Sequence, residues 1–452
     1  MRDVLVDHVA QMMDLGYPRL LFLAPSAYPF GGVADWLDYL LPGLSDFRWK
    51  CVLGLVGGRH HAVESYLERH PWPRVERIKN PTGSSEGRIQ ALASAIENTH
   101  PDILAVVNIV DAYEAVRRLR LSGIPSPRVV TTLHGLQSDL FADLAAESDV
   151  IDAVIATNRL SVKLAGQSLN SEARVLYAPY GVTLFNDIDT TPRSSDGVLR
   201  LLYSGRLEQE QKRILDLPDL LAAMRDLGVK AQLALAGGGP DESALRSKFA
   251  AMNLHEQVSF LGVLNPQELA QEYRKHDALV ITSVWETGPI VAWEAMSHGL
   301  PVTSSRYAGS GLEGALVDEV NSLLFPVGDM QEAAKSAMKL AQPGMHARIV
   351  QGGLDLLRQR YSRRASIEQW DRAFRQVLDL PLLGSPKPPP HQLPSGRLDR
   401  LLGVAWGERV RRGLGHSYPH QDPGGEWPHS RHALPDQRAF IAHAKALDEI
   451  RT

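Results

Sequence analysis

The most informative stretch of the chain is Trp285-Glu286-Thr287-Gly288-Pro289-Ile290-Val291-Ala292-Trp293-Glu294-Ala295-Met296-Ser297-His298-Gly299-Leu300-Pro301-Val302. It follows a short apolar run, Ala278 to Val284, which predicts a buried strand. A turn with glycine and proline then leads into a helix that ends at Gly299. A strand, such a turn and a helix N-terminus make an anion-binding site, because backbone N–H groups and the helix dipole point at the ligand.

Two glutamates flank this anion site. Glu286 lies on the loop before it, and Glu294 lies about one turn inside the helix. A carboxylate cannot help to bind a phosphate, but it accepts hydrogen bonds from hydroxyl groups. A nucleotide-sugar has this layout, with ribose hydroxyls, a diphosphate and sugar hydroxyls in order. We expect the backbone at Gly288, Ile290 and Val291 to bind such a molecule together with Glu294.

Short apolar runs alternate with helical patterns on both sides of this stretch. The predicted strands lie at 19–24, 51–56, 103–109, 129–133, 153–156, 198–203, 231–236, 257–261, 278–283 and 301–304. This alternation is typical of βαβ units and a parallel sheet. A polar break at 186–197 predicts a linker. The fold class is therefore α/β, with two doubly wound Rossmann-like domains facing a cleft, plus a C-terminal extension.

Local signals also predict two helix starts in the C-terminal half. Asn265 is followed by Pro266 and Glu268, a combination typical of a helix N-terminus. Asp329 is expected to begin another helix.

Composition limits the class of protein. The chain has 452 residues, which predicts two or three domains. Its net charge of -4 gives no indication of bulk nucleic-acid binding, and its single cysteine, Cys51, excludes an intrachain disulfide framework. The first 16 residues lack the basic region of a signal peptide, and no apolar run approaches the ~18 residues of a transmembrane helix. These features favour a cytoplasmic protein.

Further motifs lie in a fixed order before Glu286. They are Ser204-Gly205-Arg206-Leu207 followed by Lys212, then Leu235-Ala236-Gly237-Gly238-Gly239-Pro240, then Val258-Ser259-Phe260-Leu261-Gly262. With the Glu-x7-Glu spacing of Glu286 and Glu294, this series over about 198–345 resembles the retaining glycosyltransferases of family 4 (group 1), which have the GT-B fold. The family often has Glu-Gly-Phe-Gly at the first glutamate, and here Pro289 replaces the second glycine.

The resemblance implies a retaining, metal-independent hexosyltransferase-like enzyme of polysaccharide biosynthesis. It would move a sugar from a UDP- or GDP-sugar to a glycan, lipid-linked or small-molecule acceptor. Glu286 would accept from donor-sugar hydroxyls and Glu294 from the ribose. Arg206 and Lys212 would stabilise the charge that develops on the departing nucleoside diphosphate. In the family's front-face chemistry the leaving phosphate itself receives the acceptor proton.

The N-terminal half contributes three more candidates. Gly31 and Gly32 follow the first predicted strand, and paired glycines let a backbone approach a ligand closely. The resembled family often has such a pair near the donor phosphate and the acceptor. His134 ends a predicted strand, and the family often has a histidine there that contacts the donor sugar. It need not act as a general base.

The resemblance also sets expected domain limits. They are 1–190 for the acceptor-side domain, 191–360 for the nucleotide-sugar-binding domain and 361–380 for a helix that crosses back to the N-terminal domain. The extension at 381–452 is rich in Pro, His and Arg and begins near a proline run, so we expect a separate module or none. Its segment 397–414 combines leucines, Trp406 and arginines. It could be a basic amphipathic helix on an anionic membrane surface, a helix packed on its own domain or a disordered tail.

Neither a metal nor another cofactor is expected, and the oligomeric state is left open. Asp187-Ile188-Asp189 and the histidines of the extension are interpreted as chance patterns. Two other function classes stay open: a catalytically inactive GT-B scaffold that binds a sugar-nucleotide or a partner, and a phosphorylase or sugar-nucleotide epimerase on the same fold. The Arg, Lys and Glu positions of the motif series are all filled, which favours the transferase.

Overall fold

The computed structural model describes residues 16–26, 32–57, 63–185, 188, 196–342, 344–389, 394, 396–417 and 436–449. Contacts divide the chain into two compact units. Unit 1 takes the described residues of Met1–Thr157, Val162–Ala178 and Ile367–Asp436. Unit 2 takes those of Asn158–Ser161, Pro179–Ser366 and Gln437–Thr452. The chain therefore enters each unit more than once.

Unit 1 is built on a seven-stranded sheet in the order β3-β2-β1-β4-β5-β6-β7, with every pairing parallel. The strands are β1 (Arg19–Pro25), β2 (Lys50–Val56), β3 (Val75–Ile78), β4 (Ile103–Val106), β5 (Arg128–Leu133), β6 (Ala153–Ala156) and β7 (Val175–Tyr177). All residues of the central strands β4 and β6 are buried, as expected when helices cover both faces of a sheet. The predicted strands of this unit are confirmed, and the edge strand β3 is additional.

Helices alternate with these strands. They are α1 (Gly32–Asp46), α2 (Val63–Arg69), α3 (Ser85–Thr99), α4 (Asp111–Leu121), α5 (Ser138–Ala146) and α6 (Arg159–Leu169). Trp36 on α1 is fully buried, and its ring centroid lies 4.7 Å from that of Trp370. Trp370 belongs to a later helix that joins this unit from residue 367 onward. A core of unit 1 is thus completed by residues more than 300 positions downstream.

Unit 2 has a six-stranded parallel sheet in the order β10-β9-β8-β11-β12-β13. Its strands are β8 (Val198–Ser204), β9 (Lys230–Ala236), β10 (Val258–Gly262), β11 (Ala278–Ile281), β12 (Val302–Ser305) and β13 (Leu323–Phe325). The helices from here on are α7 (Gln209–Lys212), α8 (Leu217–Asp226), α9 (Glu242–Ala251), α10 (Pro266–Lys275), α11 (Ile290–Ser297), α12 (Met330–Met338), α13 (Met345–Leu356), α14 (Arg363–Asp379), α15 (Arg397–Leu402), α16 (Val404–Gly413) and α17 (Gln437–Glu449). Two doubly wound parallel sheets confirm the predicted α/β fold class.

Both predicted helix starts are confirmed. The Asn265 side chain accepts a hydrogen bond from the Glu268 backbone at 2.9 Å, and the Glu268 carboxylate accepts one from the Asn265 backbone at 2.8 Å. This reciprocal capping satisfies two amides that the helix cannot pair internally. Asp329 caps α12 by accepting from the Glu332 amide at 3.0 Å.

The observed units differ from the expected domain limits. Apart from Asn158–Ser161, which group with unit 2, the chain leaves unit 1 after Ala178 rather than at 190, and it returns at Ile367 rather than at 361. The extension is also not a separate module. Its described residues up to Asp436 group with unit 1, and those from Gln437 group with unit 2. The Lys387 amide, for example, donates to the Asp149 carboxylate at 2.7 Å, so the backbone just before the proline run is held on unit 1.

The described helices include none that combines the length and the apolar character needed to cross a bilayer.

Candidate functional site

Three glycines lie at the ends of the unit 2 strands that carry the predicted motifs. Gly205, Gly237 and Gly262 follow or end β8, β9 and β10, and all three have positive φ angles, of 152°, 137° and 71°. A Cβ atom on Gly237 would lie 1.9 Å from the Gly205 carbonyl oxygen, so a side chain cannot fit there. The Gly237 amide donates to the Gly262 carbonyl at 2.7 Å. The motifs, dispersed in sequence, therefore meet at the carboxyl edge of one sheet.

The short helix α7 brings Lys212 to the same edge. The Gln211 carbonyl accepts from the Val284 amide at 2.8 Å, and the Lys212 carbonyl accepts from the Thr282 hydroxyl at 2.6 Å. Both partners follow strand β11. The end of α7 is thus fixed beside the loop that carries Glu286.

The Glu286 carboxylate is surrounded by donors. Lys212 Nζ and Ser283 Oγ each lie 2.6 Å from Oε1, and Gln211 Nε2 lies 3.4 Å from Oε2. The residue is 7% exposed. A largely buried carboxylate needs such partners, because a buried charge without a counter-charge is unfavourable. Glu286 and Lys212, which were predicted separately from the sequence, are therefore in direct contact.

The negative charge of Glu286 also affects the pKa of two nearby buried tyrosines. Burial, followed by the charge of Glu286, raises the pKa of Tyr203 well above its usual value. Burial, again followed by the Glu286 charge, does the same to the pKa of Tyr307. Both phenols therefore stay protonated, and Tyr203 donates its hydroxyl to the Arg206 carbonyl at 2.8 Å.

Helix α11 begins four residues after Glu286, at Ile290. Gly288 has a φ of 110°, a left-handed conformation that favours glycine, and Pro289 is the residue before the helix. The amides of Ile290 and Val291 lie in the first helical turn, where no preceding carbonyl of the helix can accept from them. The predicted anion-binding geometry of strand, turn and helix N-terminus is thus present, with the donors beginning after Pro289.

Glu294 lies on α11, one turn beyond these amides. Its Oε2 accepts a hydrogen bond from the Tyr273 hydroxyl at 2.9 Å. Burial, then the Glu294 charge, raises the pKa of Tyr273 well above its usual value, so the phenol remains a donor. Behind the helix, the Trp293 and Tyr361 rings stack with centroids 4.4 Å apart. The half-buried Glu294 is therefore held in one orientation by a fixed phenol.

Arg206 follows Gly205 at the end of β8, as predicted. Its side chain is about one third exposed, and its guanidinium lies 3.4 Å from the Glu208 carboxylate. Glu208 also caps α7 by accepting from the Gln211 amide at 3.0 Å. An ion pair of this length between partly exposed side chains contributes little.

A glycine loop after β12 supports the Glu286 segment from the other side. The Glu286 amide donates to the Ala308 carbonyl at 3.1 Å, and the Ala308 amide donates to the Val284 carbonyl at 2.8 Å. A Cβ atom on Gly309 would lie 2.2 Å from the Glu286 carbonyl oxygen. This close approach requires glycine, and it couples the loop to the Glu286 backbone.

The far side of this loop is bound by Asp448 from helix α17. The Asp448 carboxylate accepts from the amides of Gly309, Gly311 and Leu312 at 2.7, 2.9 and 2.8 Å. Three amides converging on one carboxylate form an anion nest. The C-terminal helix is therefore part of the structure that holds Glu286, a role with no signal in the sequence.

His134 lies in unit 1, directly after β5 as predicted. Its ring is packed 4.7 Å from the Trp36 ring, and its Nε2 lies 3.0 Å from Thr132 Oγ1. Burial lowers the pKa of His134 to about 3, so the ring is neutral near pH 7. Gly32 is exposed and begins α1, whereas Gly31 lies outside the described residues.

One group of side chains in the described part of the chain has the geometry of a metal site. Asp35, Asp38 and His70 of unit 1 place one potential ligand atom each within 4.8 Å of one another. His70 Nδ1 lies 2.6 Å from Asp38 Oδ2, which a simple hydrogen-bonded pair also explains. None of the three was singled out from the sequence. The expected metal independence stays a prediction, and Asp187 and Asp189 lie outside the described residues.

Several contacts of the site were missed by sequence reasoning. Ser283, Gln211 and Tyr273 hold the two glutamates, and Asp448 binds the supporting loop. Ser283 and Gln211 lie within three positions of predicted site residues, so proximity offered a weak signal. Tyr273 and Asp448 become neighbours of the site only through the tertiary fold.

Part of the chain is similar in sequence to known proteins. Residues 199–342 match the family profile described as "Glycosyl transferases group 1". The lipopolysaccharide 1,6-galactosyltransferase of Escherichia coli (strain K12) is 25% identical over 253 residues, which cover 54% of this chain and 66% of that protein. The D-inositol 3-phosphate glycosyltransferase of Saccharomonospora viridis is 31% identical over 194 residues, covering 40% and 42% respectively. The chain thus spans less than two thirds of the length of these relatives.

Solved structures show the same fold. The apo form of the lipopolysaccharide outer core galactosyltransferase WaaB superposes with a TM-score of 0.63 at 19% identity, over 79% of this chain and 99% of that one. HepE of Anabaena in complex with UDP-glucose gives a TM-score of 0.63 at 20% identity, with the same coverage. At these identities the likeness concerns the fold, and it confirms the predicted GT-B class.

Proposed function

We propose that this chain, whose residues 199–342 belong to the group 1 glycosyl transferases, transfers a sugar from a nucleotide-diphosphate-sugar to a hydroxyl group of an acceptor. The observation that carries the proposal is the Glu286 carboxylate, held by Lys212 and Ser283 directly before the N-terminus of α11. This arrangement offers an acceptor of hydroxyl hydrogen bonds and a site for phosphate next to each other. A nucleotide-sugar needs both.

The phosphate side of the site is proposed to bind the donor diphosphate. The first-turn amides of α11 and the helix dipole favour a negative charge there. Lys212 has three N–H donors and uses one toward Glu286, so the same ammonium group can bridge Glu286 and a phosphate oxygen. Arg206 would supply a second positive charge. Charge that builds up on the leaving diphosphate would be stabilised by these groups.

We propose that the two carboxylates bind the two ends of the donor, Glu294 the ribose and Glu286 the sugar. Tyr273 occupies one site on the Glu294 carboxylate, and a carboxylate has about four such sites. We propose that the same carboxylate also accepts from the ribose hydroxyls. Glu286 would accept from sugar hydroxyls in the same way. A donor that lacks one of these hydroxyls would leave a carboxylate oxygen unpaired, which selects strongly against it.

The finer assignments are also proposals. We infer a retaining, family 4 reaction of the hexosyltransferase kind, with a UDP- or GDP-sugar as donor and no metal ion. In front-face chemistry the leaving phosphate accepts the proton of the acceptor hydroxyl, which removes the need for a basic side chain. The lowered pKa of His134 is consistent with a neutral hydrogen-bonding role toward the donor sugar rather than with proton abstraction. A glycan or lipid-linked acceptor, polysaccharide biosynthesis and a cytoplasmic location complete the proposal.

A panel of UDP-, GDP- and ADP-sugars tests this function on the purified full chain. Release of nucleoside diphosphate, with or without an added acceptor, is the expected result for at least one donor. Tight binding of a donor without any turnover would instead identify a sugar-nucleotide-binding scaffold. Conversion of a donor to an epimer would identify a sugar-nucleotide epimerase. The anomeric configuration of a transferred sugar, read by NMR, separates retention from inversion.

A further inference from the structure

Helices α15 and α16, residues 397–413, form a pair that we call the tail hairpin. Its inner face is buried against unit 1 and carries charge. The Glu408 carboxylate is fully buried and accepts from Thr82 Oγ1 at 2.5 Å and from Ser84 Oγ at 2.7 Å. Asp399 and Arg411 are also buried and pair with each other. These polar contacts help to hold the hairpin on unit 1.

The outer face of the tail hairpin has the opposite character. Leu401 is 81% exposed and Trp406 is 62% exposed, and Leu402 and Leu414 are exposed beside them. A helix on a globular surface normally buries such residues and exposes its charges. Here the pattern is inverted, so the apolar face needs a partner outside the described part of the chain.

The charges of the outer face are all of one sign. The charged residues between positions 397 and 414 that are exposed are Arg397, Arg400, Arg409 and Arg412, whereas both acidic residues of the segment, Asp399 and Glu408, are buried. The Arg409 guanidinium lies 4.9 Å from the centroid of the Trp406 ring. Aromatic rings beside arginines are typical of the interface of a lipid bilayer, where the ring lies among the headgroups and the guanidinium binds phosphate.

This charge pattern decides among possible partners. A second copy of the chain bound through the same face would place four arginines against four arginines, which disfavours a symmetric dimer. Nucleic acid accounts for the arginines but leaves Leu401 and Leu414 exposed. We propose that the tail hairpin docks unit 1 on the surface of a bilayer that contains anionic phospholipids. Leu401 and Trp406 would enter the headgroup region, and the arginines would bind lipid phosphates. The proposal goes beyond sugar transfer and does not depend on it.

Vesicle co-sedimentation tests the proposal on the full chain. Vesicles of phosphatidylcholine with about one third phosphatidylglycerol should bind the protein, and vesicles of phosphatidylcholine alone should bind it much less. Since an arginine near an anionic surface contributes roughly a fivefold factor in partitioning, Arg400→Gln with Arg412→Gln should lower binding about 25-fold. Leu401→Ala with Trp406→Ala should lower binding to anionic vesicles while leaving its salt dependence in place.

A matched control variant comes from the same unit. Leu382 is as exposed as Leu401, at 81%, and Arg372 is an exposed arginine of α14. Leu382→Ala with Arg372→Gln should bind vesicles as the unmodified chain does. All variants should show unchanged thermal unfolding, because the replaced side chains are exposed. Equal binding to neutral and anionic vesicles, or equal losses in the control and hairpin variants, would refute the proposal. So would a concentration-dependent dimer that only the hairpin substitutions dissociate.

Discussion

The carboxylate of Asp448 accepts a hydrogen bond from the backbone amide of Gly309 at 2.7 Å, across 139 positions of sequence. Gly309 in turn approaches the Glu286 carbonyl too closely for any side chain to fit. Asp448 is therefore a positioning residue that acts through the glycine loop. No described hydrogen bond joins Asp448 to Glu286, and Asp448 is not proposed to contact the substrate.

Replacing Asp448 by Ala should both destabilise unit 2 and lower turnover. Three amides lose a charged acceptor, and hydrogen bonds to charged groups contribute about 1.5–3 kcal/mol each, so a loss of at least ~2 kcal/mol in the free energy of unfolding is expected. Denaturant unfolding and donor turnover measure the two effects. Glu449→Gln, which changes the exposed neighbour of Asp448, is the control.

Chemical rescue distinguishes positioning from general destabilisation. Formate is a carboxylate small enough for the space left by Asp448→Ala, and it should restore part of the turnover when chloride at equal ionic strength does not. If turnover of the Ala variant equals that of the unmodified chain, the loop does not position Glu286.

Replacing Glu286 by Gln should lower turnover by about 100-fold or more, as removal of one preorganised transition-state contact does in other enzymes. Binding of the free nucleoside diphosphate should survive, because Glu286 is proposed to contact the sugar. Kinetics at saturating donor and calorimetry measure the two quantities. Glu319→Gln is a matched control, since it removes another Lys–Glu pair of the same unit, at 2.5 Å from Lys339. Near-normal turnover of the Glu286 variant would exclude the role.

Replacing Glu294 by Gln should have the reverse signature. Ribose contacts persist in the free nucleotide, so its affinity should fall about tenfold, the loss expected for a hydrogen bond to a charged group. Tyr273→Phe should weaken the affinity less, because the phenol only orients the carboxylate. Calorimetry with a nucleoside diphosphate and with its 2′-deoxy form is the measurement. Unchanged affinity in the Glu294 variant would place the ribose elsewhere.

Transfer should be insensitive to chelation. Lys212, Arg206 and the N-terminus of α11 are proposed to supply the charge stabilisation that a divalent ion gives elsewhere. Activity in EDTA should therefore equal activity in magnesium or manganese. Replacing Lys212 and Arg206 together by Ala should cost several kcal/mol of transition-state stabilisation, judged from single preorganised donors. A loss of activity in EDTA that manganese restores would contradict metal independence.

His134 should make the stability of the protein depend on pH. Its pKa is about 3 in the folded chain and about 6.5 when exposed, so the unfolded state binds the extra proton between these values. Stability should therefore fall as the pH falls below 6.5, by about 2 kcal/mol at pH 5 from this residue. His134→Gln should remove that slope from denaturant unfolding curves, and the exposed His255→Gln should not. Identical slopes in all three proteins would show that His134 is not buried neutral.

The fold was largely predictable because its signals are local. The strand at 153–156 is an uninterrupted apolar run, and the cap at Asn265 is complete within four residues. Strand β3 was missed because Val-Glu-Arg-Ile interrupts its apolar character, and β13 because it has three residues. Local patterns carry no information about such edge strands, which depend on neighbours for their pairing.

The site was predictable only to the level of its charged residues. Spacing identified Glu286 and Lys212, but their contact at 2.6 Å depends on two separate hydrogen bonds that tie α7 to the end of β11. The extension was predicted to form a separate module or none. The partners of Glu408 lie 324 and 326 positions upstream, so no local pattern could show these contacts.

Segments of the two units alternate along the chain, and this order constrains how the protein folds while it is being synthesised. Trp36 emerges from the ribosome early, but its neighbour Trp370 follows more than 300 residues later. At about 5–20 residues per second, the interval between Ala178 and Ile367 alone takes roughly 10–40 s. During that time the nascent N-terminal sheet exists without the helix that covers its tryptophan. Folding of unit 1 during translation therefore stays incomplete until the residues from Ile367 onward have been synthesised.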